Sequence, residues 1–298
     1  MSDSRPPVCN YEGSDYQSRF WEQGGRAYED QAEAIALRSL LPPGGNLLLE
    51  LGAGAGRNTQ RYIGFKQIVL LDYSLTQLQQ AMERLGRNQR YIYVAADIYK
   101  LPFVDGLFDA ATMIRTLHHM ADPQSALKQV RTSLQPGATF ILEYANKRNL
   151  KSILRYLIKK QSWSPFTPES VEFEKLNFDF QPQMVCSWLE QAGFTLRKQL
   201  AVSYFRLGWL KRIVPLNLLT RFEAWMQPTG KWCLLSPSVF TLNQAVGKSS
   251  KAQAGQFFKC PACQSYNLKP HGARIFCLDC SAEWPIRDGI FDFRIQGA

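Results

Sequence analysis

The sequence predicts an α/β fold built on a parallel sheet, with a small metal-stapled unit near the end of the chain. Apolar strand patterns alternate with helix patterns over residues 46–143, which is typical of a parallel sheet with helices on both faces. A glycine-rich turn follows the first apolar strand within residues 47–59, and two Cys-x2-Cys pairs lie within residues 260–280. The 298 residues leave room for one large domain and one small domain.

The glycine-rich turn is the first element that indicates a ligand. It has glycine at every second position: Gly52, Gly54 and Gly56. A ligand can approach backbone amides that have no side chains beside them, and residues 57–63 are expected to start a helix whose N-terminus favours negative charge. A dinucleotide fingerprint needs glycine or alanine three residues after its second glycine, where the two registers of this chain have Arg57 and Thr59. The spacing therefore excludes the dinucleotide class.

This turn and the segments after it resemble, in order, the motifs of class I S-adenosylmethionine (SAM) methyltransferases. After "LLLELGAGAGRNT", the run "QIVLLDYS" resembles the second strand, "YIYVAADIYKLPF" the third and "LFDAATMIRTLHHM" the fourth with its exit loop. "ALKQVRTSLQPGATFILEYAN" resembles the helix, turn and fifth strand that follow. The resemblance is closest to the broad type 11 group. It implies an α/β, Rossmann-like seven-stranded SAM methyltransferase fold with inserted helices.

The resemblance also implies which residues hold SAM. Asp72 ends the second strand, where a carboxylate can accept both ribose hydroxyls, and the adenine is expected against Asp97 and Ile98. The full cofactor-binding set that the resemblance implies is Glu50, Gly52, Gly54, Gly56, Asp72, Tyr73, Asp97 and Ile98.

Three candidate catalytic residues follow the fourth strand, on the loop expected to face the methyl acceptor: Arg115, His118 and His119. Methyl transfer from SAM is an in-line displacement, which needs a base only when the acceptor must lose a proton. A histidine with a pKa near neutrality could take a hydroxyl, phenol or amine proton. Alternatively, these histidines pack against or cap the next helix.

The domain organisation follows from these motifs. Residues 1–246 are expected to form the methyltransferase domain, with insertions at about 146–181 and 206–235. The polar stretch 247–256 has the composition of a flexible linker, and residues 257–298 form the small C-terminal unit.

The N-terminal segment is aromatic-rich and leads into an amphipathic helix around Ala32–Leu41. In the methyltransferase fold such a segment often covers the cofactor cleft. Tyr16, Phe20, Trp21 and Tyr28 are therefore either cleft-lining residues or core contacts of that helix.

The C-terminal unit is predicted to be a structural zinc site. Cys260, Cys263, Cys277 and Cys280 form a Cys-x2-Cys-x13-Cys-x2-Cys pattern, and two such knuckles can close a tetrahedron of thiolates around Zn²⁺. About 40 residues are too few to hold a core alone, so the metal is needed for folding.

The tail "EWPIRDGIFDFR" is similar to the end of a zinc-ribbon family that includes an activator of tRNA, rRNA and release-factor methyltransferases. Trp284 and Phe291 replace the tyrosine and proline that are usual in that family. Residues 290–295 alternate, with Phe291, Phe293 and Ile295 on one face, and the short ribbon cannot bury these three side chains alone. We therefore expect the ribbon to dock on its own methyltransferase domain.

Composition leaves the acceptor open. Aromatic residues in the insertions favour a small or lipid-like acceptor, or contact with a membrane surface: Trp163, Phe166, Trp209, Phe222 and Trp225. A basic amphipathic helix at 147–160 and the net charge of +10 favour RNA or a translation factor instead. A third interpretation is a non-catalytic scaffold with a methyltransferase fold. The intact Glu50, Asp72 and Asp97 argue against it, because a protein that no longer binds SAM does not need them. The sequence shows no signal peptide or transmembrane run, and paired cysteines suit a reducing compartment, so a cytoplasmic location is expected.

Overall fold

The fold is given by a computed structural model that describes residues 6–9, 11–14, 21, 25–247 and 251–295. Tyr16 and Phe20 lie outside the described residues. The helices are α1 (Ala27–Leu40), α2 (Leu75–Leu85), α3 (Pro123–Ser133), α4 (Leu150–Leu157), α5 (Pro182–Gln191), α6 (Gly208–Ile213) and α7 (Leu216–Met226). The strands are β1 (Gly45–Leu51), β2 (Phe65–Asp72), β3 (Tyr91–Ala95), β4 (Phe108–Met113), β5 (Leu134–Ala145), β6 (Val171–Glu174), β7 (Asn177–Asp179), β8 (Phe194–Val202), β9 (Ser238–Ala245), β10 (Leu268–His271), β11 (Arg274–Cys277), β12 (Glu283–Arg287) and β13 (Ile290–Asp292).

One mixed sheet organises the chain. Its strand order is β10-β11-β12-β13-β3-β2-β1-β4-β5-β9-β8, and β3, β2, β1, β4 and β5 run parallel. The Rossmann-like α/β fold is confirmed, with β9 antiparallel between β5 and β8. The seven strands expected for the methyltransferase fold are β3-β2-β1-β4-β5-β9-β8. The four strands of the C-terminal unit, β10 to β13, extend this sheet to eleven strands.

The central strands are buried on both faces because helices cover both sides of the sheet. Leu48 and Leu49 of β1 are both fully buried, yet they belong to different apolar clusters on opposite faces. Successive strand residues point to opposite faces, so a continuous apolar run is what a two-sided core requires. This arrangement leaves the carboxyl edge of the parallel strands as the place where their loops can meet.

The N-terminal helix starts earlier than the sequence pattern indicates, at Ala27. Tyr28 is a core residue of this helix, since its hydroxyl donates to the Glu223 carboxylate at 2.5 Å and also accepts from the Phe205 amide. Of the two alternatives for Tyr28, a cleft-lining residue or a core contact of the helix, the core contact is therefore correct. Trp21 does face the cleft.

The helix expected over 57–63 is absent, which corrects the sequence prediction. Only a single 3₁₀ turn, Thr59–Arg61, follows the glycines. Polar contacts hold this segment as a compact loop: Arg57 and Arg61 both pair with Asp30 of α1, and the Thr59 hydroxyl donates to Glu50 at 2.6 Å. These side-chain partners come from distant parts of the chain, so local propensity did not reveal them.

Both insertions leave the same edge of the sheet. Ala145, at the end of β5, and Val202, at the end of β8, are both in register with Ser238 at the start of β9. The insertions also bond to each other, since the Leu150 amide donates to the Leu235 carbonyl at 2.8 Å. The basic helix is shorter than expected, Leu150–Leu157, and Lys147 is not part of its surface.

Lys147 is fully buried, which corrects its placement on a basic helix surface. Its ammonium group donates to the carbonyl oxygens of Thr167 and Glu169, at 3.0 Å and 2.6 Å, and to the Thr167 hydroxyl. Burial lowers its pKa. Lys147 therefore fixes the start of the first insertion instead of facing a ligand.

The C-terminal unit docks on the large domain through strand pairing. β13 pairs in parallel with β3, with Ile290 opposite Tyr93 and Asp292 opposite Ala95. Before that strand, Phe258 forms a bridge with Phe103, so a second segment of the unit joins the domain. The alternation expected for residues 290–295 is also seen, because Ile290 and Phe293 are both buried but belong to the cores of opposite sheet faces.

Residues 251–256 of the linker also contact the domain. The Ala252 amide donates to the Gly106 carbonyl at 3.1 Å, and the Phe257 carbonyl then accepts from the Val104 amide at the same distance. These bonds lead the chain along the surface of the large domain to the docked unit.

Candidate active site and metal centre

A cleft opens at the carboxyl edge of β1, β2 and β4, where the expected cofactor residues lie. The predicted residues that line it are Glu50, Gly52, Gly54, Asp72, Tyr73, Ile98, Arg115 and His119. The wall is completed by residues that the sequence analysis did not assign to the site, among them Val8, Cys9, Tyr11, Arg57, Gln77 and Thr116.

The glycine-rich turn and Asp72 form one hydrogen-bonded unit. The Gly54 amide donates to one carboxylate oxygen of Asp72 at 2.8 Å, and the Ser74 amide donates to the other at 2.9 Å. Gly52 has a φ of +67°, and a Cβ there would lie 2.1 Å from the Thr116 hydroxyl oxygen. Burial raises the pKa of Asp72, while these amide donors oppose that shift. Only glycine fits the turn, and Asp72 both holds it and faces the cleft.

Glu50 is the penultimate residue of β1, beneath the turn, and is almost fully buried. Its carboxylate accepts hydrogen bonds from the Thr59 hydroxyl at 2.6 Å and from the Tyr62 hydroxyl at 3.1 Å. Burial raises its pKa to about 7, although both donors lower it. A carboxyl group in this setting changes charge near neutral pH, which lets the cleft present either a proton donor or a negative charge.

The two residues expected near adenine have different places. Ile98 lines the cleft, whereas Asp97 lies outside the lining and its carboxylate accepts from the Tyr99 amide at 2.9 Å. Asp97 thereby caps the 3₁₀ turn Ile98–Lys100, which places Ile98. Gly56, the last glycine of the turn, is also absent from the lining and packs near Leu85 of α2.

Arg115 forms part of an ion-pair cluster at the cleft wall. The buried Glu33 of α1 binds both Arg57 and Arg115, and both guanidinium groups also lie over the Trp21 ring, 3.5 Å and 4.8 Å from its centroid. Although burial alone would raise the pKa of Glu33, the charges of Arg115 and Arg57 lower it to about 2. An arginine stays protonated, so Arg115 can orient a negative or polar group but cannot act as a base.

His119 is the candidate base that reaches the cleft. Its Nδ1 lies 2.9 Å from the Leu176 carbonyl, which can only accept, so Nδ1 carries the proton in the neutral ring. Its Nε2 then accepts from the Tyr11 hydroxyl at 3.1 Å. Burial lowers the pKa of His119. The ring is therefore neutral at physiological pH, with its basic nitrogen directed to a tyrosine that also lines the cleft.

His118 is placed differently from His119, although their rings are 4.1 Å apart. It is not among the cleft-lining residues, and its buried Nδ1 has no hydrogen-bond partner within the described part of the chain. Burial lowers its pKa well below the ordinary value. Of the two histidines, only His119 is brought to the cleft.

The C-terminal unit contacts a residue of the cleft wall, which the sequence analysis missed. Arg294 follows β13 and donates to the Tyr73 carbonyl at 3.3 Å, next to Asp72. Its guanidinium group is held by the buried Asp292, with Nε···Oδ1 and Nη2···Oδ2 distances of 2.9 Å. Glu33 was missed too, although an acid at a core-facing position of the apolar Ala32–Leu40 stretch was a usable signal.

The four predicted cysteines come together as a metal-ligand set. Their sulfur atoms all lie within 4.8 Å of one another, and the Cys260–Cys280 and Cys263–Cys277 pairs are 3.7 Å and 3.5 Å apart. Four thiolates at about 2.3 Å from a tetrahedral Zn²⁺ would be about 3.8 Å apart, so the set has nearly the size of a zinc site.

The two cysteine pairs lie on matching knuckles. The Gln264 amide donates to the Cys260 carbonyl, and in the same way the Ser281 amide donates to the Cys277 carbonyl. Gln264 and Ser281 have φ values of +63° and +60°, so both knuckles turn by the same left-handed residue. This repeated backbone geometry directs two sulfur atoms of each knuckle to one point.

Comparisons with known proteins agree with the geometry. A family described as "Methyltransferase domain" matches residues 49–142, which include the glycine-rich turn and the loop of His119. The chain is similar over 74% of its length to an S-adenosylmethionine-dependent methyltransferase structure from Listeria monocytogenes (TM-score 0.53, 15% identity, 99% of that chain). Residues 49–142 therefore match a methyltransferase domain, and the fold of the chain is that of solved S-adenosylmethionine-dependent methyltransferases.

A second structure of the same fold comes from a complex between a Haloferax volcanii methyltransferase and the Trm112 methyltransferase activator. It has a TM-score of 0.54 and 16% identity, with 78% of this chain and 96% of that chain covered. At this identity the likeness concerns the fold alone.

A curated relative is the demethylmenaquinone methyltransferase of Clavibacter sepedonicus, 28% identical over 177 residues, which are 55% of this chain and 72% of that enzyme. Three further relatives are matched over 41–51% of their own length. No helix in the described ranges combines the length and apolarity needed to cross a bilayer.

Proposed function

We propose that this protein transfers the methyl group of SAM to a small or lipid-like acceptor. The observation that carries the proposal is the cleft at the carboxyl edge of the sheet, where the tight glycine turn is bonded to Asp72 and where Glu50 and His119 also lie. SAM carries a positive sulfonium and a positive ammonium group, so a cleft with two carboxyl groups complements its charge. Asp72 would bind the ribose, Ile98 would pack on the adenine, and Glu50 would face the amino acid end.

The acceptor side is proposed to use His119 and Tyr11. The neutral imidazole accepts a hydrogen bond from the Tyr11 hydroxyl, and it can take a proton from an acceptor hydroxyl that displaces this tyrosine. We expect His119→Asn to lower kcat more than tenfold for an acceptor that must be deprotonated, since general bases contribute roughly 10²–10⁴-fold. Tyr11→Phe is the milder companion variant, because it leaves the imidazole in place.

The similarity to a demethylmenaquinone methyltransferase supports a small or lipid-like acceptor. Among the described residues, the insertion aromatics do not line the cleft, so the proposal does not use them as a lid: Trp163, Phe166, Trp209, Phe222 and Trp225. The acceptor would enter past the wall formed by Tyr11, Trp21 and His119.

The C-terminal unit is proposed to be a zinc ribbon that supports the methyltransferase domain. Zn²⁺ fits the four thiols by number, ligand type and spacing, and a closed Cys₄ shell leaves no position for a substrate. A methyltransferase of similar fold occurs in a complex with a separate activator protein, whereas this chain holds its own ribbon against β3. The bond from Arg294 to Tyr73 gives the ribbon a direct contact with the cofactor loop.

The cofactor assignment is tested by calorimetric SAM titration of two aspartate variants. Asp72→Ala removes the proposed ribose acceptor, a loss of roughly 1.5–3 kcal/mol or about 10- to 100-fold in affinity. Asp109→Ala is the matched control, because Asp109 also accepts two backbone amides, from Asn46 and Leu47, but at the opposite edge of the sheet. Equal SAM affinity in the two variants, with both folded, would refute the assignment.

The acceptor class is then found by incubating the protein with tritiated-methyl SAM and fractionated cell extract. The proposal expects label in the lipid or small-molecule fraction. Label confined to RNA or protein would contradict the acceptor class but leave the methyltransferase assignment intact.

A further inference from the structure

The two insertions leave apolar side chains in water to an unusual degree. In α4 and at its C-cap, four apolar residues are all 48–66% exposed: Leu150, Leu154, Leu157 and Ile158. This helix is strongly amphipathic, yet its apolar stripe faces outward instead of the core. A stripe of this kind has a cost in water unless something covers it.

The second insertion repeats the pattern in α6 and α7. Trp209 and Ile213 of α6 are 61% and 73% exposed, and Phe222 and Trp225 of α7 are 51% and 76% exposed. Each pair is three or four residues apart, so each forms an outward stripe. The two insertions leave the same edge of the sheet and are joined by the bond from the Leu150 amide to the Leu235 carbonyl, so we call the exposed apolar side chains of α4, α6 and α7 together the insertion face.

Positive charge is concentrated in the same segments. Residues 147–164 and 203–237 contain eleven lysines and arginines, of which Lys147 is buried, and one acidic residue. That acid, Glu223, is fully buried, and it accepts from the Tyr28 hydroxyl and the Ser203 amide. The acidic side chains of the first insertion instead belong to the separate β6–β7 hairpin and the loop before it.

Cations lie beside the apolar stripes. Lys151 and Arg155 lie four residues apart on α4, Lys159 follows the end of this helix, and all three are exposed. Arg212 lies next to Ile213, and Arg221 lies next to Phe222, and both are also exposed. Apolar and aromatic side chains flanked by cations match an anionic membrane surface, where the apolar groups enter the acyl boundary and the cations meet the headgroups.

We propose that the insertion face binds the surface of an anionic lipid bilayer. RNA fits it less well, because exposed aliphatic side chains such as Leu157, Ile158 and Ile213 have no partner on a phosphate backbone. A second copy of this chain fits it less well too, since a two-fold interface would bring the same cations together. The bilayer satisfies both the apolar stripes and the charge.

The insertion face lies near the cleft, so membrane binding would also place the cleft close to the bilayer. Both insertions rise from the sheet edge at which the cleft opens, and α7 packs on α1, whose Glu33 holds the cleft arginines. A protein seated on this face would keep its cleft near the bilayer, within reach of a lipid-like acceptor. This last step rests on the proposed function, whereas membrane binding itself does not.

The test is flotation of the 298-residue protein, purified with zinc in the buffers, with vesicles of phosphatidylcholine alone or with about 30 mol% phosphatidylglycerol. We expect binding to the anionic vesicles that weakens as salt increases, and weak binding to the neutral ones. Ile213→Ser should lower the partition coefficient about tenfold or more, because the isoleucine no longer enters the acyl boundary.

Ile63→Ser is the matched control. Ile63 is 79% exposed, close to the 73% of Ile213, but it precedes β2 at the opposite edge of the sheet. The proposal fails if anionic vesicles are not bound, or if the two serine variants lose binding equally. It also fails if the protein instead forms a dimer that Ile213→Ser dissociates, or binds an RNA oligomer more tightly than vesicles at equal salt.

SAM titration of the same preparations separates this proposal from the function. Ile213→Ser should bind SAM with unchanged affinity, because Ile213 is exposed and is not among the residues that line the cleft. Loss of vesicle binding with normal SAM binding supports the insertion face. Absent SAM binding in the wild type would contradict the proposed function and leave the vesicle result to decide the membrane proposal alone.

Discussion

Phe293 offers the sharpest test of whether the ribbon and the methyltransferase domain form one folding unit. Its side chain is 1% exposed, and its ring lies 4.8 Å from that of Phe258 and 5.7 Å from that of Trp284. Phe258 in turn stacks on Phe103 of the large domain, and the Phe293 amide donates to the Ala95 carbonyl at 2.8 Å. Phe293 therefore belongs to the core that joins the two parts.

Replacing a fully buried phenylalanine by alanine removes about 3–5 kcal/mol from the free energy of unfolding. For a domain of this size, that loss corresponds to a decrease of roughly 5–15 °C in Tm. We expect Phe293→Ala to lower a single cooperative transition in scanning calorimetry by this amount. SAM affinity should also decrease, because Arg294 follows directly and donates to the Tyr73 carbonyl at the wall of the cleft that is proposed to bind SAM.

Phe276→Ala is the control within the same ribbon. Phe276 lies on β11, is half-buried and packs against His271, away from the large domain. We expect a smaller decrease in Tm and unchanged SAM affinity. Equal decreases in both variants, or two separate transitions of which Phe293→Ala moves only the smaller, would refute the single folding unit.

Four further predictions test the site. Gly52→Ala should abolish SAM binding, measured by calorimetry, because the φ of +67° and the close Thr116 leave no room for a Cβ. The pKa of Glu50 in the folded protein is about 7, above its ordinary value, so ionisation of this group should destabilise the fold as pH rises from about 4.5 to 7. Over that range the free energy of unfolding in urea should decrease by roughly 3 kcal/mol more in the wild type than in Glu50→Gln. Elemental analysis should find one zinc per chain, and Cys277→Ser should reduce it and lower Tm, whereas iron or no metal under reducing conditions would contradict the ribbon assignment. Arg294→Gln should weaken SAM binding while zinc content stays at one per chain, and unchanged affinity would exclude a role for the ribbon at the cleft.

The outward stripes also explain a feature that composition alone left ambiguous. The aromatic residues of the insertions suited either a lid over the cleft or a membrane surface. In the structure they do not line the cleft, and those of α6 and α7 are more than half exposed. These side chains therefore do not form a lid over the cleft, and their contact with a membrane surface is the proposal that the vesicle experiment tests.

The sequence by itself determined the fold class, the sheet edge that carries the site and the metal-ligand set. These features rest on local patterns: apolar runs with acids at their ends, glycines at positions 52, 54 and 56, and cysteines at fixed spacing. The alternation of residues 290–295 was sufficient to predict that the ribbon needs a partner surface. A period of two along a strand, or a knuckle of four residues, needs no knowledge of distant parts of the chain.

Only the tertiary structure decided the features that depend on partners far apart in sequence. The loop after the glycines is not a helix because Asp30 and Glu50 hold its side chains, and Lys147 is buried because distant carbonyls surround it. The same holds for Arg294, which reaches Tyr73 across 221 residues of sequence. Helix periodicity also could not show that the apolar stripe of α4 points outward. The pattern shows only that the apolar residues share one side of the helix, whereas packing decides whether that side meets the core or the solvent.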